Sequence, residues 1–177
     1  MRVIAGALKG HTLRSPPGRA TRPTGDRVRE AIFSALGQVA DARVLDLFAG
    51  SGALGIEALS RGAAEATFVD WAGGASATIR ANLKTLGITA EVVNQPAQAF
   101  LVRARREQRQ YDLVFVDPPY KQAGALGERL SVALPPLLAP QARVVVESDR
   151  RAPLALQLTL AFERRYGDTL IRIYDDP

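Results

Sequence analysis

Residues 45–55 read Leu45-Asp46-Leu47-Phe48-Ala49-Gly50-Ser51-Gly52-Ala53-Leu54-Gly55. An apolar run carrying one acid breaks into small residues and glycines, then resumes as a helical stretch from Ala53 to Arg61. That pattern predicts a strand, a tight loop and a helix. The glycines match the dinucleotide fingerprint G-x-G-x-x-G, and Asp70 follows at the distance, about 20 residues, where that fingerprint wants an acid for ribose. Glycine lets a backbone turn sharply from strand to helix and approach a ligand at the helix N-terminus. The loop therefore predicts a nucleotide-like cofactor without choosing which one.

Working outward, short apolar runs alternate with helical stretches. After Val44 to Phe48 and the helix Ala53 to Arg61 come Ala66 to Asp70, a helix from Ser76 to Leu86, and Glu91 to Val93. A helix from Ala97 to Arg106 and the run Tyr111 to Val116 follow, then a helix from Leu126 to Leu138 and a strand from Arg143 to Glu147. Near-continuous apolar strands alternating with helices imply a parallel sheet covered on both faces. Two last strands, Ala161 to Tyr166 and Thr169 to Tyr174, are joined by the turn-like Gly167-Asp168, so one of them pairs antiparallel. The expected fold is α/β: the seven-stranded, Rossmann-like class I methyltransferase architecture. Ahead of it, Arg2 to Arg14 predicts a basic β-hairpin, Ser15-Pro16-Pro17-Gly18 a loop, and Thr24 to Leu36 an amphipathic helix capped by Thr24 or Asp26.

The 177 residues, 47% of them hydrophobic, fit one domain over 1–177, with residues 1–37 as a hairpin-and-helix extension and 38–177 as the core. Without cysteine, and with His11 as the sole histidine, thiol chemistry and a metal site are not expected. His11 reads as a surface hairpin residue. The absence of a leader-like segment or a bilayer-length apolar run predicts a soluble cytoplasmic protein with no membrane partner. The formal charge of +5 suits a polyanionic partner. The run Arg103-Ala104-Arg105-Arg106-Glu107 reads first as a solvated helix end.

Two acids narrow the cofactor. Asp46, ahead of the glycine loop, would repel a pyrophosphate, whereas S-adenosylmethionine presents an ammonium there. Asp70, ending the second strand, is placed to take both ribose hydroxyls, and Trp71 beside it to cover the adenine or to pack on the next helix.

Asp117-Pro118-Pro119-Tyr120 follows a strongly apolar strand, which puts it on the same edge of the sheet as the glycine loop. An exocyclic base amine is a poor nucleophile because its lone pair is delocalised into the ring. A carboxylate at Asp117 and the Pro118 carbonyl can accept its two hydrogens and turn that lone pair toward a methyl group. Two prolines hold the turn rigid, and Tyr120 offers a face for a displaced base.

Together these residues resemble, along nearly the whole chain, the bacterial RsmD family, which methylates N2 of a guanine in 16S ribosomal RNA. The specific part is N-terminal: Arg2-Val3-Ile4-Ala5-Gly6, then Thr21-Arg22-Pro23-Thr24 with Asp26-Arg27-Val28-Arg29-Glu30. Residues 45–55, Leu59-Ser60-Arg61-Gly62-Ala63, Asp117 to Tyr120 and Tyr166-Gly167-Asp168-Thr169 also fit. The resemblance implies S-adenosylmethionine as cofactor, S-adenosylhomocysteine as product and no metal. It implies cofactor contacts at Asp46, Phe48, Ala49, Gly50, Ser51, Gly52, Asp70, Trp71 and a backbone group near Ala97. It implies catalysis at Asp117, Pro118, Pro119 and Tyr120. The chain departs from the family at Ala72, where a second acid is expected, and at Pro96, where Asp or Asn is expected near the adenine amine; Asn94 or Gln95 can substitute there.

The basic N-terminal region supplies Lys9, Arg22, Thr24, Arg27 and Arg29 as candidate RNA contacts. The competing reading has Arg27 and Arg29 pairing with Glu30 and nearby acids to fasten the helix. The expected partner is 16S rRNA in an assembled or partly assembled small subunit, bound by a monomer. An adenine-N6 DNA methyltransferase, a nicotinamide-dependent oxidoreductase and a catalytically silent RNA-binding module are the alternatives.

Overall fold

The computed structural model describes residues 1–17, 25–119 and 123–175. Seven strands, β1 (Arg43–Asp46), β2 (Glu65–Val69), β3 (Glu91–Val93), β4 (Tyr111–Val116), β5 (Leu138–Asp149), β6 (Thr159–Tyr166) and β7 (Thr169–Asp175), form one sheet in the order β3-β2-β1-β4-β5-β7-β6. The first five run parallel, while β7 is antiparallel to both β5 and β6. The helices are α1 (Asp26–Leu36), α2 (Ala53–Ser60), α3 (Gly73–Leu86), α4 (Ala97–Arg106) and α5 (Ala123–Ala133).

Alternation along the strands builds two cores. Val44, Phe68, Leu113, Phe115, Val145, Ile171 and Ile173 face α1, α2 and α3 through Ile32, Phe33, Ile56, Ile79 and Leu83. Their neighbours Leu45, Val69, Val114, Val116, Val144 and Val146 face α4 and α5 through Phe100, Leu101, Ala104 and Leu130. The period of two thus divides the apolar runs between both faces of the sheet.

Helix α3 begins at Gly73 rather than Ser76 and β6 at Thr159 rather than Ala161, and three further boundaries differ from expectation for local reasons. The helix read to Leu138 ends at Ala133, and Pro135–Leu137 form a single 3-10 turn, because consecutive prolines cannot supply the α-helical N–H donors. Strand β5 begins at Leu138 rather than Arg143. Its pairing with β4 jumps from Tyr111↔Leu138 to Leu113↔Arg143, a bulge accommodating Pro140 and the left-handed Gln141 (φ 64°). Helix α1 has Gly25 at its N-cap with no side-chain cap, and Asp26 is its first residue; Thr24 lies outside the described residues.

The N-terminal segment makes a hairpin with one antiparallel bridge, Arg2↔Thr12, and backbone bonds from Val3 to His11 and from Leu13 to Met1, both 2.9 Å. Val3 and Leu13 are buried in the α1/α2 core. Glu57 of α2, fully buried, accepts the Ile4 and Ala5 amides at 2.8 and 3.0 Å, and its carboxylate also binds the Arg61 guanidinium at 2.8 Å. Ser60 Oγ accepts the Leu8 amide at 3.0 Å and donates to the Ala5 carbonyl at 2.5 Å. Gly6, at φ 82°, lies so close that a Cβ there would stand 1.7 Å from the Ser60 carbonyl oxygen. Only glycine admits that approach.

Candidate functional site

At the carboxyl edge of the sheet, β1 and β4 are neighbours, with Asp46 paired to Phe115 and the Leu47 amide donating to the Phe115 carbonyl at 3.0 Å. The strand order reverses there: β2 and β3 lie on one side of β1, β4 and β5 on the other. A switch point opens a crevice beyond the strand ends, where open α/β sheets bind ligands. The polar cavity bounded by Gln38, Asp41, Asp112, Gln141 and Arg143 opens at the opposite edge.

Three stretches meet around the crevice. The loop from Phe48 to Gly52 leads into α2. Gly52 is its N-cap in the left-handed region (φ 80°), and the Ala49 amide donates to the Val69 carbonyl at 3.0 Å. Asp70 follows β2 directly, and its two carboxylate oxygens accept the Gly50 and Ala72 amides, each at 2.9 Å. The expected ribose ligand thus also pins the glycine loop to the β2 turn; a carboxylate has lone pairs left for further donors. Asp117 follows β4, half-buried, with Pro118 buried and Pro119 exposed beside it. Tyr120 lies outside the described residues.

Asp46 is turned inward. Only 2% exposed, its Oδ2 accepts the Gly55 amide of α2 at 3.0 Å. Burial pushes its carboxyl up to about 7, against the Gly55 hydrogen bond, and the neighbouring Asp70 charge adds to the rise. A site with two acids beside a helix N-terminus suits a ligand that brings a positive charge and hydroxyl donors, and opposes a pyrophosphate. The donor set fits S-adenosylmethionine. Trp71 is 66% exposed, and Ala97 opens α4 after Pro96. Asn94 commits its amide nitrogen to the Asp70 and Trp71 carbonyls at 3.0 and 2.9 Å, so its N–H groups shape the β2 turn instead of meeting an adenine.

The candidate RNA contacts divide. Lys9 and Arg27 are exposed; Arg22 and Thr24 lie outside the described residues. Arg29 requires a correction: its side chain is fully buried, donating to the Arg2 carbonyl at 2.6 Å and to Asp26 at 2.8 Å. It fastens α1 to the hairpin, with Asp26 rather than Glu30 as its acid, because burial in the α1 interface removes it from any phosphate at the surface. His11 is exposed on the hairpin, its Nδ1 2.9 Å from the Leu8 carbonyl. Arg103, at the charged end of α4, pairs with Glu91 and Glu107 and lies over the Phe100 ring.

Sequence reasoning missed the roles of Glu57 and Asn82, which it read only as helix positions, and that of Ser60, which it quoted only within a segment matching the family. It also missed Glu147, which is buried one residue beyond the Val116↔Val146 register pair of β5 and β4, as Asp117 is on β4. An acid ending an apolar strand beside the Asp-Pro-Pro turn was the available signal. Among the described residues no group of three potential ligands can hold a metal, and no helix is long and apolar enough to cross a membrane.

Comparison with known proteins agrees with this geometry. Ribosomal RNA small subunit methyltransferase D of Escherichia coli K12 is 43% identical over 152 residues, covering 84% of this chain and 75% of that protein. The protein of the same name from Haemophilus influenzae Rd is 36% identical over 182 residues, 99% of this chain and 94% of its own length. The solved structure of Escherichia coli yhhF superposes with a TM-score of 0.85 at 38% identity, over 99% of this chain and 97% of that one. The family model described as conserved hypothetical protein 95 matches residues 1–175. The chain therefore belongs to that family, the RsmD family of methyltransferases.

Proposed function

We propose that this protein methylates the exocyclic N2 amine of a guanine in 16S rRNA, acting as a monomer on an assembled or partly assembled small subunit in the cytoplasm. It is an S-adenosylmethionine-dependent enzyme, and its relatives named for small-subunit ribosomal RNA support an rRNA substrate. One observation carries the chemistry: Asp117 and Pro118 leave β4 at the switch point, beside the glycine loop that leaves β1.

S-adenosylmethionine, when bound, supplies an electrophilic methyl group on a sulfonium. In this reading Asp46, Phe48 to Gly52, Asp70, Trp71 and the backbone near Ala97 hold it. Asp117 and the Pro118 carbonyl accept the two amine hydrogens, which directs the nitrogen lone pair toward the methyl and stabilises the positive charge growing on nitrogen. The rigid Pro118-Pro119 turn preorganises both acceptors, and Tyr120 supplies the stacking face. The methylated nitrogen then loses one proton to solvent. Asp117 would not need to be a strong base, since a sulfonium donor would leave as a neutral thioether without protonation. Lys9, Arg22, Thr24 and Arg27 grip phosphates, leaving base choice to the pocket and the shape of the RNA. Residues 1–37 then act as an RNA-holding extension of a single domain.

The test is incubation with labelled S-adenosylmethionine and small subunits from a strain lacking this activity, followed by nucleoside analysis, with Asp117→Ala as control. N2-methylguanosine that disappears in the variant is the expected result. N6-methyladenosine, or label entering only duplex DNA, would overturn the guanine assignment.

A further inference from the structure

The hairpin and the glycine loop belong to different parts of the proposed reaction, yet one side chain touches both. Asn82 of α3 is 2% exposed. Its Oδ1 accepts the Arg14 amide at 2.8 Å, and its Nδ2 donates to the Arg14 carbonyl at 3.1 Å and to the Ser51 carbonyl at 3.0 Å. Both amide hydrogens and the carbonyl are therefore used. They hold the backbone at the end of the hairpin on one side and the middle residue of Gly50-Ser51-Gly52 on the other. A second contact runs parallel to it: Ser51 Oγ lies 3.8 Å from Met1 Sδ, and the Met1 carbonyl accepts the Leu13 amide at 2.9 Å.

We infer that Asn82 is a positioning residue that couples the seating of the N-terminal hairpin to the order of the cofactor loop. The bistable element is the hairpin, docked or lifted from α2 and α3. Lifting it removes the acceptor and donor at Arg14 from a buried amide and leaves Ser51 held on one side only. Unsatisfied buried amide groups are costly, so the docked hairpin and the ordered loop favour each other. A ligand that fixes the loop therefore stabilises the docked hairpin, and where RNA grips the docked hairpin, cofactor and RNA each tighten the other's binding by the same factor. The cofactor half of this coupling rests on the methyl-donor reading of the loop; the RNA half rests on the proposed role of Lys9 and its neighbours.

Hydrogen exchange on the full chain, with and without S-adenosylhomocysteine, tests it without RNA or turnover. In the wild type the ligand slows exchange of the Gly52 amide, and that of the hairpin amides of Val3, Gly10 and Leu13 by about fivefold or more, the lower range of allosteric coupling. In Asn82→Ala the Gly52 effect persists and the hairpin effect disappears. Asn82→Asp, which keeps an acceptor for the Arg14 amide but loses both donations, behaves the same way and serves if the alanine variant does not fold. Hairpin exchange unchanged by ligand in the wild type, or equally slowed in a folded variant, overturns the coupling while leaving the cofactor reading intact. A wild-type Gly52 amide indifferent to the ligand overturns both.

Discussion

The Asp46 carboxylate accepts the Gly55 amide at 3.0 Å inside the protein, so the acid that precedes the glycine loop is bonded across it to the helix that follows. Burial raises its carboxyl to about 7, so in the free protein it holds a proton through most of the acidic range. The folded state then binds a proton that the unfolded chain, titrating near 4, has already lost. This group's contribution to stability is therefore greatest below about pH 4, declines as pH rises to about 7, and is level above that. Thermal unfolding of the wild type and Asp46→Asn between pH 5 and 8 checks the sign. The asparagine keeps an acceptor for Gly55 without the charge, so its melting temperature relative to wild type rises with pH. A difference that is flat, or falls, contradicts the assignment.

Gly55 packs its Cα against Phe68, and a Cβ there would stand 2.3 Å from the ring. Gly55→Ala must displace a fully buried phenylalanine and is expected to cost about 1 to 3 kcal/mol. Gly74, in the first turn of α3, meets nothing within 4 Å, so Gly74→Ala is expected to be neutral or to stabilise by up to about 1 kcal/mol. Chemical denaturation of both variants separates a packing glycine from a tolerant one.

The exposed and buried cations of the N-terminal region part company under salt. Replacing Lys9 or Arg27 by alanine is expected to leave the melting temperature unchanged and to lower the slope of log affinity for rRNA against log salt by about 1 each. Arg29→Ala instead loses on the order of 2 to 3 kcal/mol of stability, because the Arg2 carbonyl and Asp26 lose their buried donor. A stable Arg29→Ala protein with a reduced salt slope would reverse that assignment.

Asp117 touches the reacting nitrogen in the proposed mechanism but not the cofactor. Asp117→Asn is expected to lower kcat by about 100-fold to 1,000-fold, the usual effect of removing one preorganised electrostatic partner. Titration with S-adenosylhomocysteine is expected to give the wild-type Kd. Weaker ligand binding in step with lost turnover would place Asp117 in the cofactor site.

The apolar runs made the parallel sheet legible, since each strand is short, nearly unbroken and bounded by small or charged residues. The glycine loop and the Asp-Pro-Pro turn were legible for the same reason: each is a local pattern whose backbone demands are written in adjacent residues. What escaped was non-local. Glu57 and Asn82 look like ordinary helix positions because their partners are backbone groups 53 and 68 residues away, and a backbone amide leaves no mark in a sequence. Arg29, read both as an RNA contact and as a fastener of the helix, stayed undecided for a related reason. Its charge suggested the surface, and only the position of the Arg2 carbonyl, 27 residues earlier, shows why it is buried. In β5, Pro140 and Gln141 hid the first part of the strand because a bulge tolerates what a regular ladder would not.

The docking of the hairpin also fixes an order of events during synthesis. Residues 1–14 emerge before the groups that seat them, since Glu57, Ser60 and Asn82 lie 52 to 68 residues further along the chain. Closing loops of that length precedes any reward from the contacts themselves. That segment must therefore wait, solvated by its own cations, until α3 has been translated and packed.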